Sequence, residues 1–167
     1  FRCARRSWSK PAGASVSAAA RVGDALDLDM LIVCAAGNPA AFRDRATFAW
    51  LRKLARKGVR IAGVSGGPVL MARAGIMQGR RMTVHWEHAP ALAESHPDLL
   101  LTRSLYVIDG DRLTCAGGVA PLDMMHALIA ERMGEAFARR VSDWFLHTEI
   151  RPPGGPQRAS LIERYGV

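Results

Sequence analysis

The sequence predicts an α/β fold, a three-layer sandwich built on a mostly parallel sheet. Strand-like runs alternate with helix-like runs along most of the 167-residue chain. Such alternation is typical of helices packed on both faces of a parallel sheet. In addition, the segment Leu28–Cys34 is almost continuously apolar, which is the pattern of a parallel strand buried on both faces.

Each element of the first half has a local signal. The predicted strands here are Phe1–Trp8, Ser15–Val22, Leu28–Cys34 and Val59–Val64. Ala46–Lys57 is predicted as an amphipathic helix, because apolar side chains recur on one face and basic side chains on the other. Gly58 is a natural stop for that helix. A short helix is predicted from Pro68, which suits a first helical turn, to Gly75.

The second half continues the alternation. Tyr106–Asp109 and Arg112–Cys115 flank an Asp-Gly-Asp turn, a strong hairpin signal. Glycines then lead into two helices. The remaining predicted elements are a strand at Met82–Val84 and helices at Pro90–Ser95, Pro121–Met133 and Glu135–His147.

Two features concern domain organisation. The stretch Arg151–Gln157 is rich in proline and glycine, which break regular structure. We therefore expect a domain over residues 1–150 and an exit segment over residues 151–167. An open parallel sheet normally begins with a strongly apolar strand and a helix, whereas Phe1–Trp8 is arginine-rich. We expect that this opening strand and helix belong to the native protein but are absent from this sequence.

Composition restricts the class of protein. The chain is 49% hydrophobic and 23% charged, as in ordinary globular domains, and it has no apolar stretch long enough for a membrane span. The net charge of +8 is spread along the chain without the interleaved aromatic residues of a nucleic-acid platform. The three cysteines form no Cys-x-x-Cys pair, which argues against disulfides and zinc. No secretion signal is present, so we expect a cytoplasmic protein.

The motif with most chemical content is Gly63-Val64-Ser65-Gly66-Gly67, between a predicted strand and a predicted helix. Small residues beside Ser65 permit a sharp turn that projects its hydroxyl and leaves backbone N–H groups at a helix N-terminus. Such a turn can attack a carbonyl or hold an anion. As a nucleophile, Ser65 would need a base. His147 suits the order of an α/β-hydrolase, but the chain is short for that fold, and His85, just after the next predicted strand, is the better candidate.

This combination resembles the class I glutamine-amidotransferase-like, or ThiJ/PfpI, superfamily, which has a flavodoxin-like sheet. Ser65 stands at the position of the family's nucleophilic cysteine, and His85 in Thr83-Val84-His85-Trp86 matches its histidine. Gly37, after the buried strand, matches the glycine whose N–H helps to form the oxyanion hole.

Several ordered motifs are similar to the amidase-like N-terminal domain of AraC-family transcription regulators, which include sensors of betaine, carnitine and arginine catabolism. These motifs are Ala72–Arg81, His85–His88, Tyr106–Asp109, Leu113–Gly118 and Pro152–Arg158. The resemblance implies an effector-sensing domain, with DNA bound by C-terminal helix-turn-helix motifs outside this chain. Serine in place of cysteine removes the thiolate nucleophile, and the absent opening segment supplies an acidic residue in many relatives. Both departures argue against catalysis.

We therefore expect a small effector that carries a carboxylate and a cationic group, such as an amino acid or a betaine- or carnitine-like metabolite. The expected ligand-binding residues are Gly37, Asn38, Ser65, Gly66, His85, Trp86 and Glu87. Trp86 would suit a quaternary ammonium group. We expect no metal, because the spacing of His85, Glu87 and His88 matches no zinc motif, no cofactor, and a homodimer that contacts no membrane.

Alternatives remain open at this point. A serine amidase or hydrolase would use Ser65 as nucleophile, His85 as base and Gly37 and Gly66 as oxyanion donors. A structural domain with an empty elbow would bind nothing. His85 can equally be a structural histidine near the sheet edge, whereas Trp86 is better explained as a core aromatic that covers a helix end. Asp123 can border the pocket or only favour a helix dipole. Trp144 and Phe145 suit a core or a dimer contact.

Overall fold

The computed structural model describes residues 8–9, 15–160 and 165–166. The strands are β1 (Trp8–Ser9), β2 (Ser15–Val16), β3 (Met30–Ala35), β4 (Arg60–Ser65), β5 (Arg81–Met82), β6 (Leu100–Leu101), β7 (Tyr106–Asp109) and β8 (Arg112–Cys115). The helices are α1 (Arg45–Arg56), α2 (Gly67–Arg73), α3 (Ala89–Ser95), α4 (Ala120–Met133) and α5 (Glu135–Trp144), with a 3-10 turn at Pro39–Ala41. None of these helices is long and apolar enough to cross a membrane.

The main sheet has the strand order β3-β4-β8-β7 in the described part of the chain. Strands β3, β4 and β8 run parallel, and β7 is antiparallel to β8. The predicted hairpin joins β7 to β8 through Gly110, whose φ is 61°. Strands β5 and β6 form a separate parallel pair, and β1 and β2 an antiparallel one. The mostly parallel sheet is confirmed.

Helices cover both faces of this sheet. Ile61 of β4 packs on one face with Leu54 of α1 and Met71 of α2. The next residue, Ala62, packs on the other face with Met124 of α4. Successive side chains of a strand point to opposite faces, so β4 contributes to two cores and forms the middle of the three predicted layers.

The prediction that the apolar run before residue 35 is buried on both faces was wrong. The strand forms as β3, and Leu31 and Val33 pack against the core beneath α1 and α2. The opposite side of the strand is open, because Ile32 is 44% exposed and Cys34 is also exposed. Within the described residues β3 pairs only with β4 and is therefore an edge strand.

Several boundaries differ from the predictions for local reasons. Helix α1 begins one residue early because the Asp44 carboxylate accepts the Ala46 N–H at 2.9 Å, a standard N-cap. Of the predicted strand Ser15–Val22 only Ser15–Val16 forms, and of the predicted strand Phe1–Trp8 only Trp8, which begins β1, is among the described residues. Strand β6 was not predicted, since two residues carry no periodic pattern.

The C-terminal end of α5 is exposed. The helix ends at Trp144 instead of His147. Trp144, Phe145 and Leu146 are 85%, 65% and 87% exposed, respectively. The interpretation of Trp144 and Phe145 as core residues was therefore wrong.

Candidate functional site

The turn between β4 and α2 is a strained elbow centred on Ser65. Its φ of 59° is in the left-handed region, which non-glycine residues adopt at an energetic cost. The neighbouring glycines are needed for packing. A Cβ on Gly63 would lie 2.6 Å from the Met71 sulfur, and one on Gly67 would overlap the Val33 carbonyl oxygen. The local geometry is that of a nucleophile elbow.

Gly117, which follows β8, closes the other side of the elbow. A Cβ on Gly117 would lie 2.9 Å from the Ser65 Cβ and 3.2 Å from its hydroxyl oxygen. Gly117 was not predicted as a site residue, only as a residue that leads into a helix. The signal that could have revealed it is the Gly117-Gly118 pair directly after a strand, because parallel strands end at the same edge of a sheet, where sites form.

Of the backbone donors expected at the elbow, Gly66 is already engaged. The Gly66 N–H donates to the Ala35 carbonyl at 2.9 Å and thereby ties the elbow to the end of β3. The N–H groups of Gly37 and Gly67 have no acceptor among the residues that the structure describes. Gly37 is exposed, so its N–H is the donor open to an anion, whereas Gly67 is buried and the Gly66 N–H has a structural partner.

The loop after β3 is held by Arg73 of α2. Its guanidinium donates to the carbonyls of Pro39 at 3.1 Å and Phe42 at 2.7 Å and lies 5.3 Å from the Phe48 ring centroid. Partial burial, reinforced by nearby Arg43, lowers the pKa of Arg73 from its usual value. The loop that carries Gly37 and Asn38 is thus fastened to the helix that begins at the elbow. Asn38 itself is exposed.

His85 lies at the same end of the sheet as the elbow. The Arg81 N–H donates to Asp109, which is level with the first residue of β8. The Thr83 N–H donates to Thr114, two residues further along β8. The chain therefore runs parallel to β8 and reaches His85 near the carboxyl edge. This placement agrees with the expected return of His85 to the elbow's edge.

The structure does not pair Ser65 with His85. No hydrogen bond joins the two side chains, both of which lie in the described range 15–160. His85 Nδ1 instead faces the Glu87 N–H at 3.3 Å. In neutral His85 an accepting Nδ1 puts the proton on Nε2, so Nε2 is then a donor. His85 Nδ1 also lies 3.9 Å from a Glu87 carboxylate oxygen, and in this geometry the imidazole does not act as a base for Ser65.

Trp86 and Glu87 form the polar and aromatic rim next to His85. The Trp86 and His85 ring centroids are 5.2 Å apart. Trp86 is 43% exposed, so its interpretation as a core aromatic was wrong. The Glu87 side chain is 68% exposed. The Arg158 guanidinium carbon lies 4.1 Å from the Trp86 ring centroid. Sequence reasoning missed this contact.

Asp123 and His147 have structural partners. Asp123 is fully buried, and its carboxylate accepts from His147 Nε2 at 2.9 Å and from Arg151 at 2.6 Å. Burial opposes ionisation of Asp123, yet the hydrogen bonds from Arg151 and His147 hold its pKa below the usual value. Neither interpretation of Asp123, as a pocket border or as a helix-dipole residue, describes this role. The same contact engages His147, the alternative base.

A cysteine thiol buried in the sheet is another group that could in principle act as a nucleophile. Cys115 at the end of β8 is fully buried, and burial raises its pKa to about 11. A thiol of such high pKa is not a reactive nucleophile. Over the described residues, no three His, Cys, Asp or Glu side chains cluster in a way that would hold a metal ion.

Comparison with known proteins agrees with this geometry. The sequence profile of the DJ-1/PfpI family matches residues 7–131. The chain belongs to the DJ-1/PfpI family. This membership confirms the resemblance to ThiJ/PfpI proteins and explains why a strained elbow follows the second parallel strand of the main sheet.

Two relatives similar to this chain are transcription regulators. The HTH-type transcriptional regulator GlxA of Rhizobium meliloti is 49% identical over 93% of this chain and 48% of its own length. The HTH-type transcriptional regulator CdhR of Pseudomonas aeruginosa is 45% identical over 83% of this chain and 41% of its own length. The chain thus spans about half the length of these curated relatives. Its close homologues are AraC-family transcription regulators.

A solved structure gives the same result for the fold. A putative transcriptional regulator protein from Vibrio parahaemolyticus superposes with a TM-score of 0.70 at 27% identity. The superposition covers 83% of this chain and 74% of that one. The DJ-1/PfpI chain therefore has the flavodoxin-like, mostly parallel fold that the resemblance implied.

Proposed function

We propose that this chain is the effector-sensing part of a transcription regulator and that its elbow holds the anionic end of a small metabolite. The observation that carries the proposal is the strained Ser65 at the carboxyl end of β4, next to the loop after β3 in which the exposed Gly37 N–H has no acceptor in the described range 15–160. A backbone N–H without a partner favours a carboxylate. The regulatory relatives support the same role.

The other end of the effector is proposed to be cationic. The partly exposed Trp86 ring attracts a cation through its quadrupole, and the exposed Glu87 carboxylate adds an opposite charge beside it. His85, whose ring centroid lies 5.2 Å from that of Trp86, supplies a ring nitrogen between the aromatic rim and the elbow. Amino acids and betaine- or carnitine-like metabolites have this combination of a carboxylate and a cationic group.

Serine hydrolysis is the second candidate, because the positive φ of Ser65 is also the mark of a nucleophile elbow. Two observations count against it. The Ser65 hydroxyl has no hydrogen bond to His85 within residues 15–160, and the accepting Nδ1 of His85 leaves its other nitrogen protonated. Without a base, the serine hydroxyl is a poor nucleophile at neutral pH.

The test is a ligand screen combined with a turnover assay. Thermal shift and calorimetry with glycine betaine, carnitine and arginine should detect binding by the wild type. Ser65→Ala should weaken that binding about 10- to 150-fold, the size of one lost hydrogen bond to a charged group, whereas the remote Ser95→Ala should leave it unchanged. Amide and ester panels should show no turnover. Turnover that disappears in Ser65→Ala would establish the hydrolase, and binding by none of the three compounds would contradict the proposed effector class.

Two further parts of the proposal concern assembly. The exposed Trp144, Phe145 and Leu146 form an apolar surface that suits a homodimer contact. Sedimentation analysis should show a dimer in the wild type and a monomer in Trp144→Ser. The relatives are about twice the length of this chain and are HTH-type regulators, which supports DNA binding through a separate helix-turn-helix domain. We propose that this domain is C-terminal and that the protein acts in the cytoplasm.

A further inference from the structure

Residues 151–158, named here the strap, lie along the domain between α4 and the segment that carries His85. Arg151 anchors the first end to the buried Asp123. In the middle, the Leu105 N–H donates to the Pro153 carbonyl at 2.7 Å. Gly155 packs so closely that a Cβ there would lie 3.0 Å from Leu105 Cδ1. The strap is therefore bound through specific contacts over most of its length.

The other end of the strap docks beside the candidate site. The Gln157 amide nitrogen lies 3.1 Å from the Val84 carbonyl and 2.7 Å from the Ser104 carbonyl. The Gln157 amide oxygen is buried and has no hydrogen-bond partner among the described residues. A buried unpaired oxygen opposes docking, so this end is held less favourably than the Arg151 end.

Arg158 adds the last contact. Its guanidinium carbon lies 4.1 Å from the centroid of the Trp86 ring, well inside the range of cation–π attraction. No carboxylate of the described residues lies within ion-pair distance of Arg158. Among the described residues, the Trp86 ring is thus the group that attracts this guanidinium electrostatically.

We propose that Arg158 occupies the cation subsite of the sensor and that a cationic ligand exchanges with it on Trp86, which releases the Gln157–Arg158 end of the strap. This inference rests on the proposed function, because it makes Trp86 part of the effector site. One aromatic face cannot hold two cations, so ligand binding and docking of the strap end exclude each other. The Arg151 end stays on Asp123 and acts as the fixed point of the movement.

Exchange of the ligand for Arg158 on Trp86 would connect the effector site to the chain that follows the strap. Loss of the stacking would free the Gln157–Arg158 end to move, and the differential affinity of the ligand for the released state would drive the shift. A ligand without a cationic group does not compete for Trp86 and leaves the strap docked.

Tryptic cleavage after Arg158 measures the release. The Arg158 side chain is exposed, but cleavage after it also requires the docked strap end to leave the domain, because proteases cleave segments that open. Tetramethylammonium chloride should speed formation of the fragment that ends at Arg158 about 3- to 10-fold over sodium chloride at equal ionic strength. Trp86→Leu should be cleaved rapidly in both salts. Equal rates for the wild type in the two salts would overturn the exchange.

Calorimetry with Arg158→Gln tests the competition directly. This variant should bind tetramethylammonium about 3- to 10-fold more tightly than the wild type, because the competing guanidinium is gone. Arg103→Gln removes an exposed charge elsewhere and should bind like the wild type. Unchanged or weaker binding by Arg158→Gln would refute the competition, and weaker binding of glycine betaine would show that Arg158 is itself a ligand contact.

The same titrations separate this inference from the proposed function. If Arg158→Gln gains affinity for tetramethylammonium but neither protein binds glycine betaine or arginine, the subsite stands and the elbow proposal fails. If glycine betaine binds the wild type and Arg158→Gln equally, the elbow proposal stands and the exchange fails. As a further control, 3,3-dimethylbutanoate has the shape and the carboxylate of glycine betaine without its cationic charge, and it should not accelerate cleavage.

Discussion

Gly117 and Ser65 touch across the carboxyl ends of two parallel strands, so closely that a Cβ on Gly117 would lie 3.0 Å from the Ser65 Cα. The contact joins the elbow to the segment that leads into α4. Because the φ of Gly117 is +100°, a side chain there meets both backbone strain and steric conflict. The elbow thus depends on a residue far away in the sequence.

We therefore expect Gly117→Ala to lower the free energy of unfolding by about 2–3 kcal/mol and to abolish effector binding. Gly118→Ala is the matched control. Gly118 also has a positive φ, but a Cβ added to it would meet nothing within 4 Å, so it should lose only about 1 kcal/mol. Urea unfolding measures both. Equal losses of unfolding free energy in the two variants would show that a Cβ at Gly117 does not clash with Ser65.

The strain at Ser65 gives a second prediction. Glycine adopts a φ near 59° without a steric penalty, so Ser65→Gly should stabilise the domain by about 1 kcal/mol. Ser65→Val, which is β-branched, should destabilise it by about 1–2 kcal/mol. Thermal and urea unfolding give the order. A destabilised Ser65→Gly would mean that the hydroxyl contributes more to stability than the strain removes.

A third prediction concerns the buried carboxylate beneath the strap. Asp123→Asn removes the charge partner of Arg151 and His147 and should lower the free energy of unfolding by about 2–4 kcal/mol. Asp143→Asn, on the exposed side of α5, should change it by less than about 0.5 kcal/mol. Denaturant unfolding of both variants tests this expectation. A small loss in Asp123→Asn would show that the amide replaces the carboxylate in this network.

The same residue predicts a pH dependence. Burial opposes its ionisation, but hydrogen bonds from Arg151 and His147 hold the Asp123 pKa below its usual value. Its stabilisation is therefore complete above the unfolded pKa of about 4 and is lost as the pH falls through the lower folded pKa. The stability difference between wild type and Asp123→Asn should stay constant from neutral pH to about pH 5 and shrink below about pH 4. A difference that grows on acidification would contradict this assignment.

Short-range patterns made much of the fold predictable. The hairpin between β7 and β8 formed with the predicted bounds, because turn chemistry and strand pattern act over a few residues. Helix α1 follows from the spacing of apolar residues such as Leu51 and Leu54, which are 1% and 4% exposed. The elbow at Ser65 follows from its glycines, since only small residues fit the contacts around it.

Other features depended on neighbours that no local pattern specifies. The apolar composition of β3 predicts burial, but burial needs a partner on each side, and β3 is an edge strand in the described part of the chain. The sequence around Trp86 is the same whether its ring is covered or exposed, so it does not predict which of the two occurs. The exposure of Trp86 and its contact with Arg158 result from the path of the strap, and the engaged Gly66 N–H results from the position of Ala35.

The sequence by itself determined the α/β alternation, the elbow motif and the similarity to regulatory domains, because these depend on the spacing of apolar residues and on motifs in a fixed order. Only the tertiary structure decided which groups meet: Gly117 with Ser65, Asp123 with Arg151, and Arg158 with Trp86. These pairs lie far apart along the chain. Their contacts depend on how the layers close and where the strap crosses them, which local propensities do not encode.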